Sequence, residues 1–300
     1  MLESVSLAGG TRVNGKVCVI TGGTDGIGKA AAYGLALQGA RLLVHGRDPD
    51  KGARAVAELK SRSGNSAIEF LQADFSSLEE VRQLAAAVMA RTPRIDVLVN
   101  NAGAIYVKRA LSKDGYEKTL AVNHLAPFLL THLLLDTLKA SGPSRIVTTA
   151  SNAHRGAKIA FDDLQLTRKY SPMGAYGMSK LANILFTRAL AKRLQDVTRV
   201  TATCLHPGFV RTSFGVNNTA DISPLFKALF PFISRFARTP EKGAETVIYL
   251  ASSPEAEGVS GGYYHDRKPI RPTPAGEDDN AAERLWQVSE QLVGIAGAQT

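Results

Sequence analysis

The chain has 300 residues, 44% hydrophobic and 21% charged, which supplies a sizeable core and excludes an intrinsically disordered chain. Thirty-six Lys+Arg against 27 Asp+Glu leave a net charge of +9, which suits a nucleic acid, a membrane surface, an anionic ligand or simply a basic surface. The two cysteines, Cys18 and Cys204, each lie in a β-branched apolar run and exclude a disulfide scaffold or a cysteine-rich zinc site.

In chain order, Lys16–Ile20 reads as a strand and Gly26–Gln38 as an Ala-rich helix closed by Gly39. A strand at Arg41–His45 is followed by a helix over Pro49–Ser63, and a strand at Ala67–Leu71 by a helix over Ser76–Arg91 capped by Ser76 or Ser77. Then come a strand at Ile95–Val99, a long helical stretch at Asp114–Lys139 and a strand at Arg145–Thr149. A helix over Tyr176–Leu194 and a strand at Val200–Leu205 follow. The stretch from Ile270 is a polar loop leading to a final helix that carries Trp286 and Leu292.

Strands alternating with helices of ten or more residues predict βαβ units. The strands are continuous apolar runs without polar alternation, as parallel strands buried on both faces require. Length alone allows about two domains. No Pro/Gly/Ser linker divides the chain, however, so a single α/β domain with a doubly wound, Rossmann-type parallel sheet flanked by helices is expected. The opening Met1-Leu2-Glu3-Ser4 lacks signal-peptide regions, and there is no run of about 18 apolar residues. A cytoplasmic protein without a transmembrane segment is the expectation.

Directly after the first strand, Thr21-Gly22-Gly23-Thr24-Asp25-Gly26-Ile27-Gly28 places glycines at G-x-x-x-G-x-G between strand and helix. Gly22 permits a tight turn, Gly26 lets backbone approach a pyrophosphate, and Gly28 permits close helix–sheet packing. The helix N-terminus adds free N–H groups and a positive dipole end. The second strand ends in His45-Gly46-Arg47, with Gly46 where an NAD site places a carboxylate and Arg47 beside it. A guanidinium suits a 2′-phosphate, so NADP(H) is expected over NAD(H). Arg47 as a solvated loop charge beside Asp48 is the blander alternative.

Asn100-Asn101-Ala102-Gly103 follows the fourth strand, where α/β sheets bind ligands, although Asn-Ala-Gly is also an ordinary turn. Ser151 ends the fifth strand, and Tyr176 and Lys180, four apart, share one helical face. A Lys ammonium beside a phenol favours phenolate and makes Tyr176 a usable acid/base. His154 and His206 lack Glu-x-x-His or His-x-x-x-His spacing, so no metal is expected, and a G-x-S-x-G nucleophile elbow is absent.

With these residues in this order, the chain resembles the short-chain dehydrogenase/reductase family over about Lys16–Tyr264. The wording of Ser179–Phe186 and the long Ser151-to-Tyr176 separation resemble its retinol dehydrogenase and WW-domain oxidoreductase branch. The resemblance implies that Tyr176 transfers the carbonyl/hydroxyl proton, Lys180 tunes it and holds the nicotinamide ribose, and Ser151 bonds the substrate oxygen. Asn123 would anchor a water of a proton relay. Asp74 with Phe75 backbone would meet adenine, and Asn100, Ala102 and Gly103 would line the cofactor beside Gly22, Thr24, Asp25, Gly26, Ile27 and Gly28. Pro207, Gly208, Val210 and Thr212 would bracket the nicotinamide. Family members often pair through the 114–139 and 176–194 helices, so a homodimer is an open expectation that the insert and tail can block.

Two segments are additions to the family core, an insert at about 152–175 and a C-terminal extension at about 265–300, and the region that caps the active site in the family is an apolar lid at about 213–238. The lid carries Ile222, Leu225, Phe226, Leu229, Phe230, Phe232, Ile233 and Phe236 at near-helical spacing, which favours a lipophilic or aromatic carbonyl as small-molecule substrate. Sheet packing of these residues and peripheral membrane contact are the alternatives. Reduction of a conjugated C=C bond, as in the related protochlorophyllide reductases, and a non-catalytic cofactor-binding scaffold stay open as functions. No nucleic-acid-binding signature is present. Eleven Lys/Arg against three Asp between Arg145 and Arg211 place most of the positive excess near the expected cofactor crevice instead.

Overall fold

The computed structural model describes residues 13–210 and 237–295. The first half runs β1 (Val17–Ile20), α1 (Gly26–Ala36), β2 (Arg41–Gly46), α2 (Pro49–Ser63), β3 (Ile68–Gln72), α3 (Leu78–Arg91) and β4 (Val97–Asn100). There follow α4 (Lys118–Leu120), a π-helical turn (Ala121–Leu125), α5 (Ala126–Ala140), β5 (Ser144–Thr149), a 3-10 turn (Asn152–His154), α6 (Pro172–Leu194) and β6 (Val200–Leu205). The last part holds α7 (Pro240–Ser252), β7 (Tyr263–His265), β8 (Lys268–Ile270) and α8 (Asp279–Val293).

The strands form one sheet in the order β3-β2-β1-β4-β5-β6-β7-β8. Every pairing is parallel except the antiparallel β7–β8 hairpin. This is the single doubly wound α/β sheet that the periodicity predicts. Alternate residues of each strand serve opposite faces: Val19, Leu43, Leu98 and Ile146 join the core under α3, α5 and α6, whereas Ile20, Val44, Val99 and Val147 join the core under α1 and α7. Two apolar faces on one strand explain the unbroken Val/Ile/Leu runs.

Helix starts follow from caps. Ser77 caps α3, accepting from Glu80 N. The long helical stretch starts at Lys118 rather than Asp114, because the buried Glu117 carboxylate accepts from Thr119 N at 2.8 Å and Leu120 N at 2.7 Å. Asp114 instead serves α3, accepting from Leu78 N at 2.9 Å. Helix α6 starts at Pro172, one turn before the expected Tyr176, because Ser171 caps it and Pro172 needs no donor. Tyr176 therefore stands on the second turn, where backbone hydrogen bonds hold it.

The β7–β8 hairpin lies in a stretch given no strands from sequence. Its turn uses two non-glycine residues at positive φ, Asp266 at 48° and Arg267 at 63°, without the Asn-Gly or Asp-Gly signal that marks such turns. Helix α7 was likewise not expected from the pattern. Among the described residues no helix is long and apolar enough to cross a membrane.

Candidate active site

The chain leaves β1 and β4 toward opposite sides of the sheet, and the crevice beyond their carboxyl ends is the topological switch point where such sheets take ligands. The glycine-rich turn lines this crevice. Gly22 has φ +65°, and a Cβ there would lie 2.9 Å from Ala102 Cα. A Cβ on Gly28 would lie 2.2 Å from the Gly22 carbonyl oxygen, so α1 can start here only without a side chain. Thr21 staples the turn to the Asn-Asn-Ala-Gly loop: its hydroxyl accepts from Asn101 N at 2.9 Å and Ala102 N at 3.1 Å. Asn101, a residue sequence reasoning passed over, returns its amide to Thr21 O at 3.0 Å. Thr24 sits against Gly46, and Ile27 packs into the core beside Gly243.

Asp25 caps α1 by accepting from Gly26 N at 2.7 Å and pairs with Lys51 Nζ at 2.5 Å. Lys51, which the sequence reading also omitted, thus adds a second cation near the turn. Arg47 is exposed, directly after β2. Burial raises the Asp74 carboxyl, but the Ser76 amide and hydroxyl and the charges of Arg47 and Lys113 outweigh it and hold Asp74 below its usual range. Phe75 is buried and stacks on His45 at 4.3 Å. His45 Nδ1 accepts from Gly22 N at 3.3 Å, which ties the end of β2 to the glycine turn. Asn100 donates to Thr131 Oγ1 at 2.8 Å.

The expected catalytic residues converge. Asn123 lies in the π turn, a local widening often found at functional sites. Its Oδ1 accepts from Ala104 N at 2.7 Å, and its Nδ2 donates to Ala104 O at 2.9 Å and Ser179 Oγ at 3.0 Å. Both amide hydrogens are spent on clasping the loop after Gly103 to α6. Ser151 caps the 3-10 turn, its Oγ accepting from Ala153 N at 3.1 Å. Tyr176 keeps part of its surface open, yet the protein around it pushes the phenol up to about 12, with a Ser151 hydrogen bond pulling the other way.

Lys180 is buried, donates to Thr149 O at 2.9 Å, and stands 5.6 Å from the centre of the Tyr176 ring. Burial lowers its pKa to about 8. For both groups burial is the largest influence, raising the phenol and lowering the ammonium. A Cβ at Gly103 would lie 3.4 Å from Lys180 Nζ, so that glycine opens the space in front of the ammonium.

At the end of β6, Pro207 and Gly208 turn the chain, with Gly208 at φ +81° and its N–H donated to His206 Nδ1 at 3.3 Å. Val210 bridges to Arg238, which is ion-paired with Asp266. Thr212 and most of the expected lid lie outside the described residues. The 152–175 stretch is tied to its neighbours by polar and ring contacts. Gln165 Oε1 accepts from Glu117 N at 2.6 Å, Tyr170 donates to Tyr106 O at 2.6 Å, and Arg284 of α8 lies over Phe161 at 4.3 Å. Its apolar residues Ala157, Ile159, Phe161 and Leu164 pack inward, leaving the basic ones outside. Among the described residues no group of three metal-ligating side chains occurs.

A sheet with its glycine turn at the switch point, joined to a Ser–Tyr–Lys set, defines a nicotinamide-dependent oxidoreductase acting on CH–OH/C=O. The short chain dehydrogenase family model matches residues 16–223, and the chain belongs to that family. Within it the chain sits with the retinol dehydrogenase-like branch: it is 42% identical to human retinol dehydrogenase 14 over 94% of its own length and 88% of the relative's. Among solved structures, an uncharacterized protein from Mycobacterium paratuberculosis superposes with a TM-score of 0.76 at 32% identity, covering 95% of this chain and 96% of that one. A short chain dehydrogenase from Burkholderia cenocepacia in complex with NADP gives 0.66 at 27% identity, covering 84% and 96%.

Proposed function

We propose that this chain interconverts a lipophilic carbonyl and its alcohol with NADP(H), using Tyr176 as proton donor and acceptor. The observation that carries this reading is the buried Lys180 ammonium, one helical turn on from Tyr176 and facing the space beside Gly103, with Ser151 acting to lower the Tyr176 phenol.

The residues present fit a dinucleotide. Gly22 and Gly28 have no room for side chains, α1 offers its N-terminus, and Lys180 is a buried cation facing the space that Gly103 leaves open. Asp74, Phe75, Asn100, Ala102 and Gly103 would line the adenosine and ribose side, and Pro207, Gly208, Val210 and Thr212 the nicotinamide side. Bound there, the cofactor supplies or accepts a hydride, and its oxidised form adds a positive charge that favours phenolate. Ser151 holds the substrate oxygen, and Tyr176 gives its phenol proton to the developing alkoxide in reduction or takes the hydroxyl proton in oxidation. Lys180 would hold the ribose hydroxyls and, as a cation, favour phenolate, and Asn123 keeps the loop and α6 in register around them.

A lipophilic substrate is supported by the apolar composition of the 222–236 segment and by a relative named for retinol. A screen of NADPH consumption across aliphatic, aromatic, steroid and retinoid carbonyls tests this, with faster turnover expected for the apolar members. Label from deuterated NADPH should appear on a carbinol carbon; label on an olefinic carbon would instead mean C=C reduction.

Arg47 is the 2′-phosphate ligand in this reading, and its effect on Asp74 supports a place beside the ribose. Arg47→Ala is expected to lower kcat/KM for NADPH by about 10- to 100-fold and leave NADH nearly unchanged, as loss of a charge-assisted contact predicts. An unchanged cofactor ratio would remove Arg47 from the site.

Pairing through α5 and α6 is disfavoured by α8. Trp286 stands 5.0 Å from Phe128 and 6.0 Å from Phe186, Arg193 lies over it at 4.1 Å, and Lys192 and Arg193 pair with Asp279 and Glu283 at 2.6 and 2.8 Å. A second copy would have to displace this cover. Sedimentation equilibrium should therefore give a species near the 32.0 kDa chain mass, and a mass of twice that would overturn the proposal.

A further inference from the structure

Past Ser151 the chain makes its 3-10 turn and ends it on His154, which is wholly buried. His154 Nδ1 lies 2.7 Å from the Ser151 carbonyl oxygen, and its Nε2 lies 3.3 Å from the backbone nitrogen of Thr273. A backbone N–H can only donate, so Nε2 is an acceptor and carries no proton. Nδ1 then holds the ring hydrogen and donates it to the Ser151 carbonyl, which can only accept. Burial lowers the imidazole pKa, which favours this neutral form.

The ring is confined on its other sides. Tyr263 meets it edge-on at 5.3 Å, with the phenol oxygen 3.4 Å from Nδ1. The turn itself is wedged under α6, since a Cβ on Gly177 would lie 2.7 Å from the Ala153 carbonyl oxygen. Both polar groups of Ser151 are thereby directed: the carbonyl by His154, the hydroxyl by the Ala153 N–H.

We infer that His154 is a positioning residue, locked in one tautomer by Thr273 of the C-terminal extension, which sets the Ser151 hydroxyl against Tyr176 by holding the Ser151 carbonyl. This rests on Ser151 acting in catalysis as proposed above. His154 touches neither substrate nor cofactor; it acts through Ser151. The extension thus reaches the reacting groups through one backbone amide.

The test is a double-mutant cycle with the panel carbonyl that wild type reduces fastest. His154→Phe keeps a ring and removes both nitrogens, while His154→Asn returns an N–H near the Nδ1 position. His154→Phe is expected to lower kcat on the order of 10- to 100-fold, as a misplaced catalytic group does, with KM and the NADPH Kd within about twofold of wild type. His154→Asn should recover most of that loss. In a Ser151→Ala background His154→Phe should cost no more than about twofold further, because no hydroxyl is left to misplace.

An equal fold-loss in both backgrounds makes His154 merely structural and overturns the inference alone. Unchanged turnover in Ser151→Ala overturns the reading of Ser151 and the inference with it. Imidazole 15N shifts of the wild-type protein give a readout independent of folding of the variants: a protonated Nδ1 is expected, and a protonated Nε2 would sink the assignment.

Discussion

Tyr176→Phe is expected to fold, bind NADPH with about wild-type affinity and reduce carbonyl substrates on the order of 100- to 10,000-fold more slowly, the range for loss of a general acid. The change removes one hydroxyl and its hydrogen bond to Ser151, which costs about 1 kcal/mol of stability. The ring itself stays, so its packing on α6 and beside Lys180 is preserved. Stopped-flow or steady-state NADPH oxidation with a carbonyl from the panel measures the loss, and thermal denaturation checks the fold. Turnover within a few-fold of wild type would end the role assigned to Tyr176. The direction of pH dependence follows from the same environment. With the phenol pushed up to about 12 in the free protein, it remains protonated through neutral pH, so carbonyl reduction should stay flat there. Alcohol oxidation needs the phenolate and should rise with pH.

Lys180→Met should give a protein that is more stable at pH 7 and nearly inactive. Burial holds the folded lysine at about 8 against an ordinary value of 10.5, so the charged form is disfavoured in the fold. Below pH 8 the ammonium is charged in both states and the full destabilisation applies. Between pH 8 and 10.5 the folded lysine is neutral while the unfolded one still binds a proton, so wild-type stability rises with pH until the difference is gone. Linkage gives about 3 kcal/mol, from which the lost hydrogen bond to Thr149 O subtracts roughly 1. The variant is therefore expected to gain about 2 kcal/mol at pH 7 and to lose that advantage as pH climbs past 8. Urea titrations of both proteins without cofactor at pH 7 and pH 10 measure it. A variant less stable than wild type at pH 7 would show that Lys180 is not under strain of desolvation. The loss of activity is the complementary half: a lysine retained at a cost to stability is retained for chemistry.

Much of the site was legible because its chemistry needs backbone groups at particular places in a strand–turn–helix unit. Gly22, Gly26 and Gly28 follow β1, Asn100 through Gly103 follow β4, Ser151 follows β5, and Tyr176 and Lys180 share a helical face. Each spacing carries its own physical reason, so the chain can be read locally. The β7–β8 hairpin and α7 were not legible. The hairpin turn runs through Asp266 and Arg267 at positive φ, which local preference disfavours and only the surrounding structure enforces. Helix α6 starts a turn before Tyr176 because Ser171 and Pro172 set the cap.

Electrostatics shows the division most clearly. The sequence by itself determined the doubly wound sheet, the glycine-rich turn between β1 and α1 and the family to which the chain belongs, because hydrophobic period and glycine placement are properties of neighbouring residues. Only the tertiary structure decided how the candidate site residues titrate and what they touch. It buried Lys180 and turned its ammonium to Thr149 O, spent the Asn123 amide on Ala104 and Ser179, and brought Thr273, well over a hundred residues away, onto His154. Desolvation and long-range hydrogen bonds depend on everything that surrounds a group, and no local spacing encodes them.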